Sequence, residues 1–281
     1  KIKYIINFYK YIWQLRNEYD AVFVHMNQEY LLMAGWLWKI MGKKIYMWRN
    51  HHAGNLLTDI SASFCNNVFC TSKYSYTAKY KKTVLMPVGI DTKIFRIKDG
   101  ANRKENSTLF LGRIAPVKRP DLLIRAMIEL NIENVKFQTS IYGDALSQDK
   151  DYLDFLKQKV KQKNLERDIV FYPGIPNTAT VDVYNSHQLF INLSTSGMYD
   201  KTIFEAMACG CLILASNKNL LGLIPDRYVF AEGDLSDLKN KLMAINRLSP
   251  EQKESDIKSF QDLVQKNSLA NLGLKLSQII K

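Results

Sequence analysis

One carboxylate, Glu205, interrupts the apolar segment that follows the polar loop TSGMYDK. The preceding strand pattern LFINLS ends at Ser194, the loop contains Gly197, and a helical pattern begins near Lys201. This spacing places Glu205 about one turn into the helix, where its carboxylate can accept two hydrogen bonds from a vicinal diol such as a ribose. The N–H groups of the first turn then face an anion such as a diphosphate. A second interpretation stays open, in which Glu205 lies on the solvent face of an ordinary amphipathic helix.

Two cations, Arg113 and Lys118, follow the apolar run TLFLG, and Pro120 then begins a helical pattern. Fixed cations beside a helix N-terminus favour a phosphate site, because backbone N–H groups and the helix dipole add to their attraction. Basic loops are common, so an ordinary solvated loop is the alternative.

Glycines also end two strand patterns. Gly143 follows KFQTSIY and precedes Asp144, while Gly174 follows DIVFYP and precedes Pro176 at a distance of two residues. A residue without a side chain lets a ligand approach the backbone closely, although glycine is equally typical of plain turns.

Three histidines stand at strand ends in the first third of the chain. His25 closes AVFVH, and His51 and His52 follow KKIYMWRN. At these positions an imidazole can bind or orient a hydroxyl or a phosphate, although a lone histidine is more often structural.

Short apolar runs alternate with helical patterns along the whole chain, which predicts parallel sheets and an α/β fold. Polar and glycine residues between positions 89 and 107 separate a first unit with about four strands from a second unit with about six. The predicted domains are residues 1–94, residues 95–250 and a C-terminal helix over 251–281. The first unit holds fewer strands than a complete doubly wound domain, so we expect it to be cut short at its beginning.

The composition narrows the class of protein. The 281 residues are 47% hydrophobic and carry a formal net charge of +12, which indicates a folded protein with an anionic partner or simply a lysine-rich surface. No recognisable nucleic-acid module is present, and no apolar run reaches eighteen residues.

The aromatic, basic opening helix favours contact with an anionic membrane face. The four cysteines show no metal-ligand spacing, and Asp149 and Asp151 are predicted to begin a helix rather than to bind a metal.

Taken together, the motifs LGRIAPVKRPDLLI, YGD, YPGIP and EAMACGCLILAS resemble those of retaining glycosyltransferases of family 4, which have the GT-B fold. The resemblance is strong over residues 107–235 and fainter over residues 19–95. It implies two Rossmann-like parallel-sheet domains that face a cleft, the first of them incomplete here, with the nucleotide-sugar bound by the second. It also implies that the C-terminal helix over 251–281 packs back on the first domain.

The resemblance also implies roles for single residues. Arg113 and Lys118 match the cations that hold the donor diphosphate, and Glu205 matches the glutamate that contacts the ribose. His25 matches a strand-end histidine near the transferred sugar, with His51 as a second possibility. The implied catalytic residues are His25, Arg113 and Lys118. The implied donor-binding residues are Gly112, Arg113, Lys118, Gly143, Gly174, Pro176, Gly197, Asp200, Lys201, Thr202 and Glu205.

The sequence departs from the family pattern at two places. Gly197 stands where the family often has a first glutamate, and MYDK replaces the usual glycine-aromatic-glycine, so Asp200 and Lys201 are expected to contact sugar or phosphate. The glycine-rich loop after the family's first strand has no counterpart before residue 19. The chain is therefore expected to be either a fragment or an enzyme with a reduced acceptor domain.

The resemblance implies a glycosyltransferase that moves a sugar from a nucleoside diphosphate sugar, linked to UDP or GDP, to a sugar or lipid-linked acceptor in polysaccharide or glycolipid synthesis. We expect a metal-independent enzyme without a cofactor, located in the cytoplasm or at the inner face of the membrane. The alternative is a truncated or degenerate nucleotide-binding module that transfers nothing.

Overall fold

The computed structural model describes residues 2–195 and 198–280, which form two compact units. The first unit contains the chain up to Pro87 and again from Leu272 onward, and the second contains Val88–Asn271. Each unit has one parallel sheet with helices, which confirms the α/β fold with two parallel sheets. The units divide seven residues before the predicted boundary, because Ile90 and Phe95 pack in the core of the second unit.

The helices and strands alternate along the chain as the apolar pattern predicts. Up to Pro87 the elements are α1 (Ile2–Gln14), β1 (Ala21–His25), α2 (Glu29–Ile40), β2 (Lys44–Trp48), α3 (Leu56–Phe64), β3 (Asn67–Cys70) and β4 (Thr83–Leu85). The central elements are β5 (Lys104–Leu111), α4 (Pro120–Ile132), β6 (Gln138–Tyr142), α5 (Lys150–Gln162), β7 (Ile169–Tyr172), α6 (Thr180–Ser186), β8 (His187–Asn192), α7 (Lys201–Ala208) and β9 (Leu212–Ala215). The last elements are α8 (Leu235–Asn246), α9 (Pro250–Lys266) and α10 (Leu269–Ile279).

The sheet of the first unit has the order β1-β2-β3-β4, and residues of its central strands are buried on both faces. Because side chains alternate along a strand, Ile45 and Met47 of β2 pack with Leu31 and Trp38 of α2 on one face. Trp48 of β2 points to the opposite face.

That opposite face of the first sheet packs against α10. Tyr46 and Trp48 belong to a cluster that includes Leu272 and Leu276 of α10, and the Tyr46 hydroxyl donates to the carbonyl oxygen of Ile279 at 3.2 Å. Residues that follow the second unit in sequence therefore complete the core of the first.

The sheet of the second unit has the order β7-β6-β5-β8-β9. The predicted sixth strand, RYVFAEG, is wrong: the structure has a 3₁₀ turn over Asp226–Tyr228, and only Val229 pairs with Ala215. The turn that follows Pro225 leaves too few extended residues for a longer ladder.

The predicted single C-terminal helix is two helices in the structure. The first, α9, ends at Lys266 with Asn267 as its C-cap, and Ser268 then pairs with Ile90 in an isolated bridge. Phe260 and Val264 of α9 are buried in the core of the second unit, so this helix is an integral part of that unit. Only the residues after Asn271 join the first unit.

The predicted opening helix is present as α1. Ile12 is its one fully buried residue among those described, while Tyr4, Tyr11 and Trp13 are largely exposed. Across residues 2–195 and 198–280, none of the helices combines the length and the apolar character that crossing a membrane requires. Contact with an anionic membrane stays a prediction.

A buried hydrogen bond joins α9 to the turn before Val229, and its removal is expected to destabilise the fold. The hydroxyl of Tyr228, a fully buried residue, donates to Asp256 Oδ2 at 2.6 Å. The Tyr228→Phe variant leaves that carboxylate one partner short, which costs about 1–3 kcal/mol in the free energy of unfolding. Urea denaturation measures this loss. The exposed control Tyr11→Phe is expected to change stability by less than about 0.5 kcal/mol, and equal effects of the two variants would contradict the assignment.

Candidate functional site

The strand order of the second sheet reverses between β5 and β8. From β5 the chain proceeds outward to β6 and β7, and it then crosses back to β8 and β9 on the other side. The carboxyl ends of these parallel strands lie at one edge, and the loops at such a reversal diverge to leave a crevice where ligands bind. The described site residues predicted for the second unit lie on the loops at this edge or in α7, which begins there.

A cavity of about 320 Å³ lies at the ends of β5, β6 and β7. Its lining residues are Leu111, Gly112, Arg113, Tyr142, Gly143, Asp144, Leu146, Gly174 and Ile175. The structure thus brings together four of the predicted donor-binding residues, which come from three different strand ends.

Glycine at position 143 is required by the close approach of two strand ends. A Cβ atom on Gly143 would lie 1.9 Å from the backbone carbonyl oxygen of Gly112. A Cβ atom on Gly174 would lie 2.4 Å from Asp144 Oδ2, and that carboxylate accepts a hydrogen bond from the Gly174 N–H through Oδ1 at 3.0 Å. The floor of the cavity is therefore largely backbone.

The two predicted cations lie in the loop between β5 and α4 but differ in their surroundings. Arg113 is exposed and lines the cavity, and no ion pair to it is found among residues 2–195 and 198–280. The Lys118 ammonium instead contacts Asp200 Oδ2 and Ser194 Oγ, each at 2.9 Å. Lys118 therefore connects the loop after β5 to the segment between β8 and α7.

Asp200 is the N-cap of α7. Its Oδ1 accepts hydrogen bonds from the backbone N–H of Thr202 at 3.2 Å and from the Thr202 hydroxyl at 2.8 Å, and its Oδ2 accepts one from Asn192 Nδ2 at 3.2 Å. Burial by itself raises the pKa of the Asp200 carboxyl, but the nearby Lys118 charge and these hydrogen bonds outweigh it and hold the pKa below its ordinary value. Asp200 is thus a fixed anion at neutral pH.

Glu205 lies in the same helix, and none of the ion pairs among residues 2–195 and 198–280 includes it. The residue is 7% exposed, and its Oε2 accepts a hydrogen bond from the Tyr184 hydroxyl at 3.3 Å. Burial raises the pKa of the Glu205 carboxyl, and hydrogen bonds from Asn177 and Tyr184 offset this only in part. The interpretation of Glu205 as a glutamate on the solvent face of α7 is therefore wrong.

Two other predicted residues lie beside these loops. Lys201 is the exposed first residue of α7, and Pro176 precedes the 3₁₀ turn over Asn177–Ala179. Gly197 lies outside the described residues.

The histidines of the first unit lie at the carboxyl edge of its own sheet. His25 ends β1 and is exposed, with its ring 6.1 Å from the ring of Trp48. His51 and His52 stack with their ring centroids 4.5 Å apart, and His51 Nδ1 accepts from the N–H of Ala53 at 3.0 Å. These positions agree with an edge at which polar ligand groups can bind.

Sequence reasoning missed Asn192 and Ser194, the two polar residues through which β8 joins the Lys118 cluster. Asn192 donates to Asp200, and Ser194 accepts from Lys118. A polar residue closing the apolar strand LFIN was the available signal. The stacked pair Tyr142 and Tyr172, with ring centroids 4.5 Å apart, was also missed.

Within the described parts of the chain, His, Cys, Asp and Glu side chains form no group of three that could hold a metal ion. The Asp149–Asp151 region forms the predicted helix start, with a 3₁₀ turn over Ser147–Asp149 that leads into α5.

Residues 91–245 match the family described as glycosyl transferases group 1. A D-inositol 3-phosphate glycosyltransferase from Rhodococcus jostii is 29% identical over 130 residues, which make up 46% of this chain and 29% of that protein. The matches span about a third of the length of the first curated relatives.

Solved structures share the fold over nearly the whole chain. Anabaena Alr3699/HepE in complex with UDP superposes with a TM-score of 0.82 at 17% identity, covering 96% of this chain and 80% of that one. Sucrose-phosphate synthase from Thermosynechococcus elongatus gives a TM-score of 0.78 at 18% identity, covering 99% of this chain and 76% of that one. These neighbours establish the GT-B fold.

A side chain at position 143 is expected to disrupt the edge of the sheet. In Gly143→Ala the new methyl group must push the Gly112 carbonyl away, which strains the two loops and costs about 1–3 kcal/mol in the free energy of unfolding. Urea denaturation measures the cost. The control Gly273→Ala, in α10, meets nothing within 4 Å and is expected to be neutral or slightly stabilising. An unchanged stability of Gly143→Ala would contradict the close approach.

The burial of Glu205 predicts a pH-dependent cost. Because the folded protein holds the pKa of this carboxyl above its ordinary 4.5, stability falls as pH rises from 4.5 through the raised pKa. The isosteric Glu205→Gln variant is therefore expected to be more stable than the wild type at pH 7.5 and to lose that advantage at pH 4.5. Urea midpoints at the two pH values test this, with the exposed Glu166→Gln as the control. An advantage that is equal at both pH values would contradict it.

Proposed function

Because the chain belongs to the glycosyl transferases group 1 family, we propose that it transfers a sugar from a nucleoside diphosphate sugar to an acceptor hydroxyl, with the anomeric configuration retained. The acceptor belongs to polysaccharide or glycolipid synthesis. The observation that carries the proposal is that a cavity and two cations lie on loops at the carboxyl edge of one sheet. The cavity is at the ends of β5, β6 and β7, and Arg113 and Lys118 follow β5, which adjoins the strand-order reversal. The complexes of Anabaena Alr3699/HepE with UDP and with UDP-glucose support this class of donor.

We propose that the base binds in the cavity at the ends of β5, β6 and β7. The glycines at positions 112, 143 and 174 keep side chains away from its floor, and backbone N–H and carbonyl groups there can read the edge of a base. Ile175 and Leu146 supply apolar surface for the faces of the ring.

The ribose is proposed to bind at Glu205. A buried carboxylate without a cation in contact gains from two hydroxyl donors, since these hydrogen bonds stabilise its charged form. A vicinal diol provides such a pair with the correct spacing. Binding of the ribose thus offsets the free energy that burial of the Glu205 carboxylate costs the unliganded protein.

The diphosphate is proposed to bind between Arg113 and Lys118 beside the start of α7. The Thr202 and Ile203 N–H groups of that helix are bonded to Asp200, so they are not available to the ligand as the sequence predicts. As the bond between the anomeric carbon and the phosphate oxygen breaks, negative charge grows on the departing diphosphate. The two cations are already in place and stabilise that charge without reorganisation. The acceptor oxygen forms the new bond to the anomeric carbon, and the hydroxyl proton is released.

In the first unit, we propose that His25 and His51 bind substrate hydroxyls at the carboxyl edge of the sheet. Their imidazoles lie at strand ends, and each ring can donate or accept a hydrogen bond. In the second unit, Lys201 at the start of α7 is proposed to contact phosphate or sugar.

Nucleotide binding is expected to stabilise the protein. Saturating UDP or GDP is expected to raise the melting temperature by several degrees, since a ligand at about 100 times its Kd adds about 2.7 kcal/mol. The monophosphate gives a much smaller shift, and Arg113→Ala combined with Lys118→Ala abolishes the shift. Lys157→Ala, an exposed lysine of α5, is the control that keeps it.

The same preparation tests the chemistry. Hydrolysis of the UDP- or GDP-linked sugar, or its transfer, is measured as release of the nucleoside diphosphate. It is expected to persist in EDTA because Arg113 and Lys118 neutralise the leaving group. Absence of any diphosphate-dependent melting shift would count against the proposed function.

A further inference from the structure

Among residues 2–195 and 198–280, the Lys118 ammonium uses two of its three hydrogen-bond donors. Of its three N–H groups, one is directed to Asp200 Oδ2 and one to Ser194 Oγ, each at 2.9 Å. An anionic ligand can therefore take the third N–H while both existing contacts remain. Lys118 does not have to leave Asp200 in order to bind a phosphate oxygen.

Asp200 cannot readily move away or lose its charge. Its two carboxylate oxygens are held by Thr202, Asn192 and Lys118, and it caps α7. These hydrogen bonds keep its pKa below the ordinary value even though burial opposes them. A ligand at Lys118 thus encounters a fixed carboxylate as well as an ammonium.

The separation between that carboxylate and a bound phosphate follows from the geometry of an ammonium group. Two oxygens at hydrogen-bond distance from one tetrahedral nitrogen lie about 4–5 Å apart. At this distance each additional negative charge on the ligand is repelled appreciably by Asp200, because the side chain is only 21% exposed and screening by solvent is incomplete.

We propose that Asp200 both positions the Lys118 ammonium and makes the site discriminate between the sugar-bearing diphosphate and the free diphosphate product. The diphosphate of an intact nucleotide-sugar carries two negative charges. The free diphosphate product gains a third when its terminal phosphate loses its second proton, with a pKa of about 6. The carboxylate repels the more highly charged product more strongly and so promotes its release. This inference rests on the proposed function, and it makes Asp200 a positioning residue that acts through charge.

The test compares two ligands in one variant. Calorimetry at pH 7.5 and low salt gives the Kd of UDP and of UDP-glucose for the wild type and for Asp200→Asn, which removes the charge but can still cap α7. If the substitution only displaces the Lys118 ammonium, the binding of both ligands weakens by the same factor, and the ratio of the two Kd values is unchanged. Loss of the charge lowers the ratio Kd(UDP)/Kd(UDP-glucose) by roughly three- to tenfold.

A pH series separates charge from shape. At pH 5 the terminal phosphate of UDP is mostly protonated once, so both ligands carry about the same charge and the ratio is expected to be the same in the variant and the wild type. The titratable groups that interact with Asp200 are Lys118, Glu205 and Tyr184, with Lys201 next to it in sequence. Burial raises the pKa of the Glu205 carboxyl, and a change in its protonation acts on both ligands alike because both carry the ribose.

Two further variants complete the design. Asp200→Ser keeps a capping hydroxyl and is expected to reproduce the lowered ratio, which keeps the test decisive if Asp200→Asn folds poorly. Glu133→Gln removes a carboxylate at the opposite end of α4, about 20 Å from the end next to Lys118, and is expected to leave the ratio unchanged.

The two proposals fail differently. If both ligands bind the wild type but neither Asp200 variant shifts the ratio, the inference is overturned and the proposed function stands. If the wild type binds neither UDP with UDP-glucose nor GDP with GDP-mannose, the proposed function fails and takes the inference with it. A guanosine-specific protein is tested with the second pair in the same way.

Discussion

The ion pair between Lys118 and Asp200 is the interaction on which the second unit's site depends. It bridges the loop after β5 and the start of α7, which belong to opposite sides of the strand-order reversal. At such a reversal the neighbouring loops lead in opposite directions, so a crevice opens there. A side-chain contact across the crevice therefore sets the spacing of the groups that line it, and Asn192 and Ser194 at the end of β8 make that contact rigid.

The two carboxylates of α7 show how environment divides one residue type into two roles. Asp200 and Glu205 are both largely buried, but Asp200 has an ammonium and the helix N-terminus beside it, whereas Glu205 has a tyrosine hydroxyl. Their pKa values accordingly shift in opposite directions. One carboxylate is satisfied by the protein itself, and the other retains capacity for a ligand. Divergent pKa values within one crevice are typical of functional sites.

The fold was largely predictable because buried parallel strands are continuous apolar runs bounded by turn residues. The segment RYVFAEG is also an apolar run, yet it begins with a turn in which the Tyr228 hydroxyl bonds to Asp256, a residue 28 positions later in the chain. The burial of Glu205 likewise depends on Tyr184 in α6, a contact that no local pattern encodes. Residue types at strand ends identified Arg113 and Lys118. The contacts that each of them makes depend on how distant segments pack, so the sequence did not predict them.

The position of α10 has a consequence for how the chain folds. Lys275 donates to the carbonyl oxygen of Leu85, a residue 190 positions earlier, and Leu272 and Leu276 cover the aromatic face of the first sheet. During synthesis the first unit emerges first, but its sheet has one uncovered aromatic face until the whole second unit has followed. The second unit can then form its core before the first is complete. The contact of α10 with the first sheet, which closes the chain between Leu85 and Lys275, becomes a late folding step.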